Sequence, residues 1–272
     1  MDNNLPPRRS FDVMKKGHRL FIEGHRGVNR EFTQNTLKSF AQAINYKLDS
    51  IELDIWLTKD KVPIILHGGD NGQLFEYMKN VDKNLVVNDL TYDELSKLKF
   101  IEDDNQKIPK FEEVLDLCKD KIFINIEMKD PNINETFAKV IELLEKKDMI
   151  KQIDISSFHH EYHNLVEKYN ETHKDKIEFG YLYHDQKEKE KFKPYRYDTP
   201  GCSMNVYQGD LTKEMVDKAH QNDMVVLIWF GMKDKESDEL YQKLFDYGID
   251  VICCNEPNKA KEFRDFKYKK AQ

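Results

Sequence analysis

The feature that most limits what this chain can fold into is a regular alternation of short strand-like runs with amphipathic, helix-prone ones. Eight strand-like runs stand out: Leu20–Glu23, Ser50–Leu57, Ile122–Glu127, Ile153–Ser157, Glu178–Tyr183, Cys202–Val206, Val225–Trp229 and Asp250–Cys253. Most are followed by apolar residues at helical spacing, as in Thr36–Tyr46, Asn134–Lys147, Glu161–Tyr169, Thr212–Asn222 and Ser237–Tyr247. Such alternation predicts parallel strands, because parallel neighbours need a long crossover and a helix supplies it. Eight units in 272 residues match an α/β fold of one kind, the (β/α)8 TIM barrel, which takes roughly 250 residues.

Two stretches depart from the plain pattern. The polar Lys59-Asp60-Lys61 joins Ile51–Leu57 to Val62–His67 as a hairpin, and the polar residues 70–108 read as a small insertion after the second strand. Residues Gln186–Thr199 are highly charged and give a poor helix signal. The organisation expected is a polar N-terminal tail over 1–18 and a barrel domain over 19–265.

Composition narrows the function. No apolar run approaches the roughly 18 residues of a membrane span, so none is expected. The N-terminus has basic residues but no apolar signal core. The four cysteines, Cys118, Cys202, Cys253 and Cys254, lack CxxC spacing and read as buried free thiols in a reducing compartment, which makes a cytoplasmic location the expectation. A net charge of −7 argues against nucleic acid and leaves a small molecule as the substrate.

Four motifs carry the chemistry. Glu23-Gly24-His25-Arg26-Gly27 ends the first strand, with flanking glycines that allow a sharp turn and an adjacent proton carrier and phosphate-binding cation. In Ile51-Glu52-Leu53-Asp54-Ile55 the period of two sends Glu52 and Asp54 to one face and the aliphatic residues to the other. Two carboxylates on an inner face need a cationic partner. His67 closes the hairpin near the same rim. In Asn125-Ile126-Glu127-Met128-Lys129, Glu127 completes a three-carboxylate cluster and Lys129 can neutralise a phosphate oxygen. All-oxygen ligation favours Mg²⁺, Ca²⁺ or Mn²⁺ over zinc. Trp229, at the end of the seventh strand, is either a core residue or a wall of the site. His159, His160 and His163 read as solvated residues at a helix start.

In this order the motifs resemble the glycerophosphodiester phosphodiesterase family, of the PLC-like phosphodiesterase superfamily. The chain has His25-Arg26-Gly27, Gln34-Asn35-Thr36, Glu52-Leu53-Asp54, Thr58-Lys59-Asp60-Lys61, His67-Gly68, Glu127-Met128-Lys129 and a closing Asn255-Glu256-Pro257, so the similarity spans about residues 19–262. The resemblance implies a metal-dependent hydrolase that releases an alcohol and glycerol 3-phosphate. It makes His25 and His67 the general base and acid, in an order left open. Glu52, Asp54 and Glu127 would hold the cation, Arg26 and Lys129 the phosphate, and Trp229 would flank the glycerol. A phospholipase D-like enzyme acting on lysophospholipids and a non-catalytic barrel are the alternatives. Three positions depart from the family pattern. Gln34 and Asn255, in place of a glutamate and an aspartate, are expected to matter only for packing. Gly68, in place of an aspartate, is expected to change how His67 is oriented.

Overall fold

A computed structural model describes residues 19–270; the expected tail, 1–18, lies outside them. The strands are β1 (Phe21–Gly24), β2 (Ser50–Leu57), β3 (Pro63–Ile65), β4 (Phe123–Met128), β5 (Ile153–Ser157), β6 (Glu178–Leu182), β7 (Ser203–Tyr207), β8 (Val225–Trp229) and β9 (Val251–Cys254). Their order is β1-β9-β8-β7-β6-β5-β4-β2, closed by β1 against β2, with all of these pairings parallel. This is the eight-stranded barrel the alternation predicts. β3 is a ninth strand outside the ring. It hangs antiparallel on the end of β2, with Ile55 opposite Ile65 and Leu57 opposite Pro63, and is shorter than the hairpin arm Val62–His67.

The helices are α1 (Leu37–Asn45), α2 (Tyr92–Leu95), α3 (Phe111–Cys118), α4 (Ile133–Lys147), α5 (Tyr162–Thr172), α6 (Lys213–Gln221), α7 (Asp238–Tyr247) and α8 (Pro257–Lys270). No helix joins β6 to β7, where the charged run around Gln186–Lys193 lacks an apolar stripe to bury. The helix α3 was not apparent beforehand, although Phe111, Val114, Leu115 and Cys118 have the right spacing and are all buried. Thr36, Thr212 and Ser237 cap α1, α6 and α7 by accepting backbone N–H bonds, each worth about 1 kcal/mol.

Strand parity builds two different barrel faces. Ile22, Ile51, Leu53, Ile55, Ile124, Ile126 and Met128 pack outward against helix residues such as Phe40, Leu115 and Leu144. The intervening side chains face the lumen. There Phe21, Val225, Leu227, Val251 and Cys253 make an apolar wall. Opposite it lies a paired polar layer: Ser50 Oγ and Asn125 Nδ2 donate to the Glu23 carboxylate at 2.8 and 3.0 Å, and Ser156 Oγ donates to Asn125 Oδ1 at 2.8 Å. All four cysteines are buried and free.

The segment between β3 and α3 has a small core of its own. Leu74, Met78, Val87, Leu95, Phe100 and Ile108 roof the end of β2 around Trp56. The Trp56 indole N–H donates to the His67 carbonyl at 3.0 Å, tying this roof to the barrel rim.

Candidate active site

At the end of β1 the chain makes a tight turn over Gly24–Gly27. Gly27 N donates to Gly24 O at 3.0 Å, and Arg26 and Gly27 both take left-handed backbone with φ of 55° and 85°. A Cβ at position 27 would also collide with the Ser39 hydroxyl, so glycine is required there. The turn brings His25 and Arg26 to the wall of a cavity of about 550 Å³ at the barrel mouth.

β2 and β4 deliver the acids. Their register sets Asp54 directly beside Glu127. One oxygen from each of Glu52, Asp54 and Glu127 lies within 4.8 Å of the others, and all three residues are buried. Two cations run among them. Arg26 Nε is 3.4 Å from Asp54 Oδ2, and Lys129 Nζ is 3.5 Å from Asp54 Oδ1 and 3.4 Å from Glu127 Oε1. The Arg26 backbone N–H donates to Glu52 Oε2 at 2.8 Å, and Asn35 Nδ2 donates to Asp54 Oδ2 at 2.7 Å.

These contacts do not balance the cluster. Burial, with Asp54 and Glu127 as like charges, pushes the Glu52 carboxyl well above its ordinary range. Burial also raises Glu127, against the pull of Lys129. Asp54 moves the other way: burial pushes it up, but neighbouring positive charge and the Asn35 hydrogen bond hold it low. At neutral pH that charge is on Lys129 and Arg26, because burial keeps the His67 imidazole uncharged. Glu52 Oε1 and Asp54 Oδ1 are buried without a hydrogen-bond partner. Asp54 Oδ1 has only the 3.5 Å ion pair with Lys129, and buried carboxylate oxygens that accept no hydrogen bond cost free energy unless a cation takes them up. The donor set is all oxygen, which fits a hard divalent ion.

The two imidazoles flank this cluster. His25 Nδ1 lies 3.0 Å from Asn255 Oδ1. That amide is fixed on every side: its Nδ2 donates to Gly231 O at 3.0 Å, its Oδ1 accepts from Asn29 at 2.7 Å, and its backbone N–H donates to Glu236 at 2.7 Å. His67 Nδ1 is 2.6 Å from the Tyr77 hydroxyl. Burial first, then the Arg26 charge, lowers both imidazoles, His25 to about 3.

Of the eight residues singled out from sequence, seven line the one cavity: His25, Arg26, Glu52, His67, Glu127, Lys129 and Trp229. Asp54 lies beneath them, fully buried. Trp229 forms the outer wall with the Phe158 ring set edge-on at 6.2 Å. Two residues have contacts that correct their sequence-based assignments. Gln34 does more than pack a loop, since its Oε1 accepts from Arg26 at 2.6 Å. Asn255 touches His25 itself. The histidines 159, 160 and 163 are half-buried rather than fully solvated. His159 lines the cavity, His160 Nε2 meets Leu182 O at 2.9 Å, and His163 packs on Phe179 and Tyr181. Tyr77 had no signal in sequence, lying in a polar segment with nothing to mark it.

A parallel eight-stranded barrel whose mouth gathers carboxylates, cations and imidazoles around a cavity has the make-up of a (β/α)8 enzyme. Comparison with known proteins makes this specific. The chain matches the Glycerophosphoryl diester phosphodiesterase family over residues 25–259. It is 28% identical over 260 residues to a glycerophosphodiester phosphodiesterase of Bacillus altitudinis, covering 90% of this chain and 98% of that one. Among solved structures, a Galdieria sulphuraria protein described with the same activity superposes with a TM-score of 0.78 at 25% identity, over 90% of this chain and 98% of the other. A glycerophosphodiester phosphodiesterase of Thermotoga maritima gives 0.65 at 26% identity, with the same coverage. The chain belongs to the glycerophosphoryl diester phosphodiesterase family, within the PLC-like superfamily, and is a phosphodiester hydrolase of that class. No helix among the described residues is long and apolar enough to cross a membrane.

Proposed function

We propose that the enzyme hydrolyses small glycerophosphodiesters, such as glycerophosphocholine, to glycerol 3-phosphate and an alcohol, with a divalent cation held by Glu52, Asp54 and Glu127. The observation that carries this is the meeting of three buried carboxylates, two of them with an oxygen that accepts no hydrogen bond, beside two cations and two imidazoles. With all three carboxyls ionised, as ligation requires, they leave one net negative charge against Arg26 and Lys129. A bound dication turns that to one positive charge, which matches the single negative charge of a phosphodiester. When bound there, Mg²⁺, Ca²⁺ or Mn²⁺ would act as a Lewis acid toward the phosphoryl oxygens.

The protein's own groups divide the remaining work. Arg26 and Lys129 stay protonated, because neighbouring carboxylates outweigh the cost of their burial, and they stabilise charge on the phosphoryl group. His25 donates its Nδ1–H to Asn255, which leaves Nε2 bare and makes His25 the base. Nε2 takes the proton of the glycerol hydroxyl next to the phosphate. That oxygen bonds to phosphorus, the bond from phosphorus to the head-group oxygen breaks, and neutral His67 gives its Nε2 proton to the leaving alcohol, which leaves His67 as an imidazolate beside the positive charges of Arg26 and Lys129 and His25 as an imidazolium. The resulting cyclic phosphate is opened by water with the roles exchanged: the His67 imidazolate takes a proton from water and the His25 imidazolium returns one to the glycerol oxygen, so both rings end neutral. Trp229 flanks the glycerol. Four buried free thiols support a reducing, cytoplasmic location in the same reading.

A phospholipase D-like action on lysophospholipids is the second reading, because the inserted segment exposes Phe75 and Ile101. Side-by-side assay of glycerophosphocholine and lysophosphatidylcholine decides between them. Release of choline from the first with glycerol 3-phosphate as co-product is the expected result; turnover of the second alone would refute the proposal.

The pH dependence follows from the lowered imidazoles. A base that titrates near pH 3 stays unprotonated through the neutral and mildly acidic range, so His25 sets no acid limb near 6.5. Glu52 and Glu127 are raised instead, and protons compete with the cation for them. The acid limb of kcat/KM is therefore expected to move to lower pH as the divalent-ion concentration rises. A limb fixed near pH 6.5 at every ion concentration would contradict this.

A further inference from the structure

We infer that Tyr77, supplied by the segment inserted between β3 and α3, is a positioning residue that holds the His67 proton on Nε2, facing the substrate. The inference rests on the reading of His67 as the acid. Its geometric basis is independent of that reading.

The Tyr77 hydroxyl and His67 Nδ1 are 2.6 Å apart, and their rings meet at 57° with centroids 5.7 Å apart. Such a contact has two possible proton arrangements: either the phenol donates to a bare Nδ1, or an Nδ1–H donates to the phenol oxygen. The surroundings select the first. Burial raises the phenol, so it keeps its hydrogen at working pH. That hydrogen needs an acceptor, and His67 Nδ1 is the one hydrogen-bond partner the hydroxyl has among the described residues. With Nδ1 accepting, the neutral ring carries its proton on Nε2. His67 lines the cavity, so that proton is available to a departing oxygen.

His25 shows the opposite arrangement. Its Nδ1 faces Asn255 Oδ1, an oxygen that can only accept, so His25 carries its proton on Nδ1. One ring is thus held as an acceptor and the other as a donor, although both are neutral. His25 can then take a proton on Nε2 and His67 can give one from Nε2; the imidazolate this leaves at His67 is stabilised by the Tyr77 O–H donated to Nδ1.

The local chain leaves no other group for the task. Gly68, next to His67, has φ of 63°, and a Cβ there would press on the Trp56 indole and on Gly72. Asp70 points away, 2.6 Å from Lys191 across the cavity mouth. Tyr77 is itself fixed by the inserted segment: its N–H donates to Leu74 O at 3.0 Å and its carbonyl accepts from Ile101 N at 2.8 Å. Through this residue the inserted segment reaches the proposed reaction.

The test reads the tautomer directly. Long-range ¹H–¹⁵N correlation spectra of the metal-free, ¹⁵N-histidine-labelled protein, with His67 assigned by its loss in His67→Gln, are expected to show Nε2–H at His67 and Nδ1–H at His25. In Tyr77→Phe the His67 signals are expected to move toward Nδ1–H. kcat on glycerophosphocholine is expected to fall at least about tenfold while KM stays within about threefold, a split that loss of packing alone would not give. Nδ1–H at His67 in the unmodified protein would overturn the inference without requiring any variant to fold. So would a Tyr77→Phe protein with unchanged tautomer or unchanged kcat. Unmodified protein that shows the expected tautomers yet hydrolyses no glycerophosphodiester would overturn the proposed function and leave the proton assignment standing.

Discussion

Replacing His25 with alanine is expected to slow glycerophosphodiester hydrolysis by about 10²–10⁴-fold, and His67→Ala by a similar factor, the usual worth of a positioned proton carrier. The loss should fall on kcat, because neither imidazole is charged and neither binds the phosphate by Coulomb attraction. A change confined to KM would remove that histidine from the proton relay. The two losses should not multiply. Once either ring is gone the relay is broken, so the double variant is expected within about tenfold of the worse single one. Because Asn255 is the hydrogen-bond partner of the His25 ring among the described residues, Asn255→Ala should reproduce part of the His25→Ala loss with the imidazole still present. Steady-state rates with glycerophosphocholine at saturating divalent ion measure all of these.

The largest effect is expected from removing the cation. Without it three buried carboxyls are left with Arg26 and Lys129 as their only cationic partners among the described residues, and the site lacks the positive charge that a phosphodiester needs. Several kcal/mol of transition-state stabilisation are lost with the ion, which corresponds to about 10³-fold or more in rate. Excess chelator should bring turnover near background, and added Mg²⁺, Ca²⁺ or Mn²⁺ should restore it. Undiminished turnover in chelator would remove the metal from the mechanism.

Stability supplies a readout that does not depend on activity. An ion that binds only the folded state at a hundred times its Kd stabilises by about 2.7 kcal/mol, or roughly 5–10 °C in a chain of this length. Glu52→Gln tests the same point with opposite signs. A carboxyl whose folded pKa lies above its unfolded value is ionised at a cost to folding at neutral pH, so the amide should make the metal-free protein more stable. A glutamine oxygen can still accept the Arg26 backbone N–H. The thermal shift on adding metal should disappear in the same variant. A Glu52→Gln protein that keeps the full metal-induced shift would show that the ion binds elsewhere.

The barrel was legible in the sequence because strand parity is a short-range property. Ile51, Leu53 and Ile55 must turn to one side and Glu52 and Asp54 to the other, wherever the strand sits in the sheet. The meeting of Asp54 with Glu127 is different. It depends on the register of two parallel strands about 70 residues apart, and nothing in either strand states it; the shared chemistry of the motifs made it an expectation. The supports of the histidines were the least legible. Asn255 reaches His25 across 230 positions, at the point where the ring closes through β9 and β1. Tyr77 belongs to a polar segment without periodicity. The histidines near 160 were only partly legible: a helix start is usually wet, but here β6 supplies Phe179, Tyr181 and Leu182 to half-bury His160 and His163. The missing helix between β6 and β7 was visible as a run of charge with no apolar face.

One structure would test the central claim most directly: crystals grown with Mn²⁺ and glycerol 3-phosphate, with the metal located by its anomalous signal. The account predicts a single strong peak bonded to oxygens of Glu52, Asp54 and Glu127 at roughly 2.0–2.6 Å, with the phosphate between it and the imidazoles of His25 and His67. A metal peak away from these three carboxylates, or a phosphate out of reach of both rings, would contradict it.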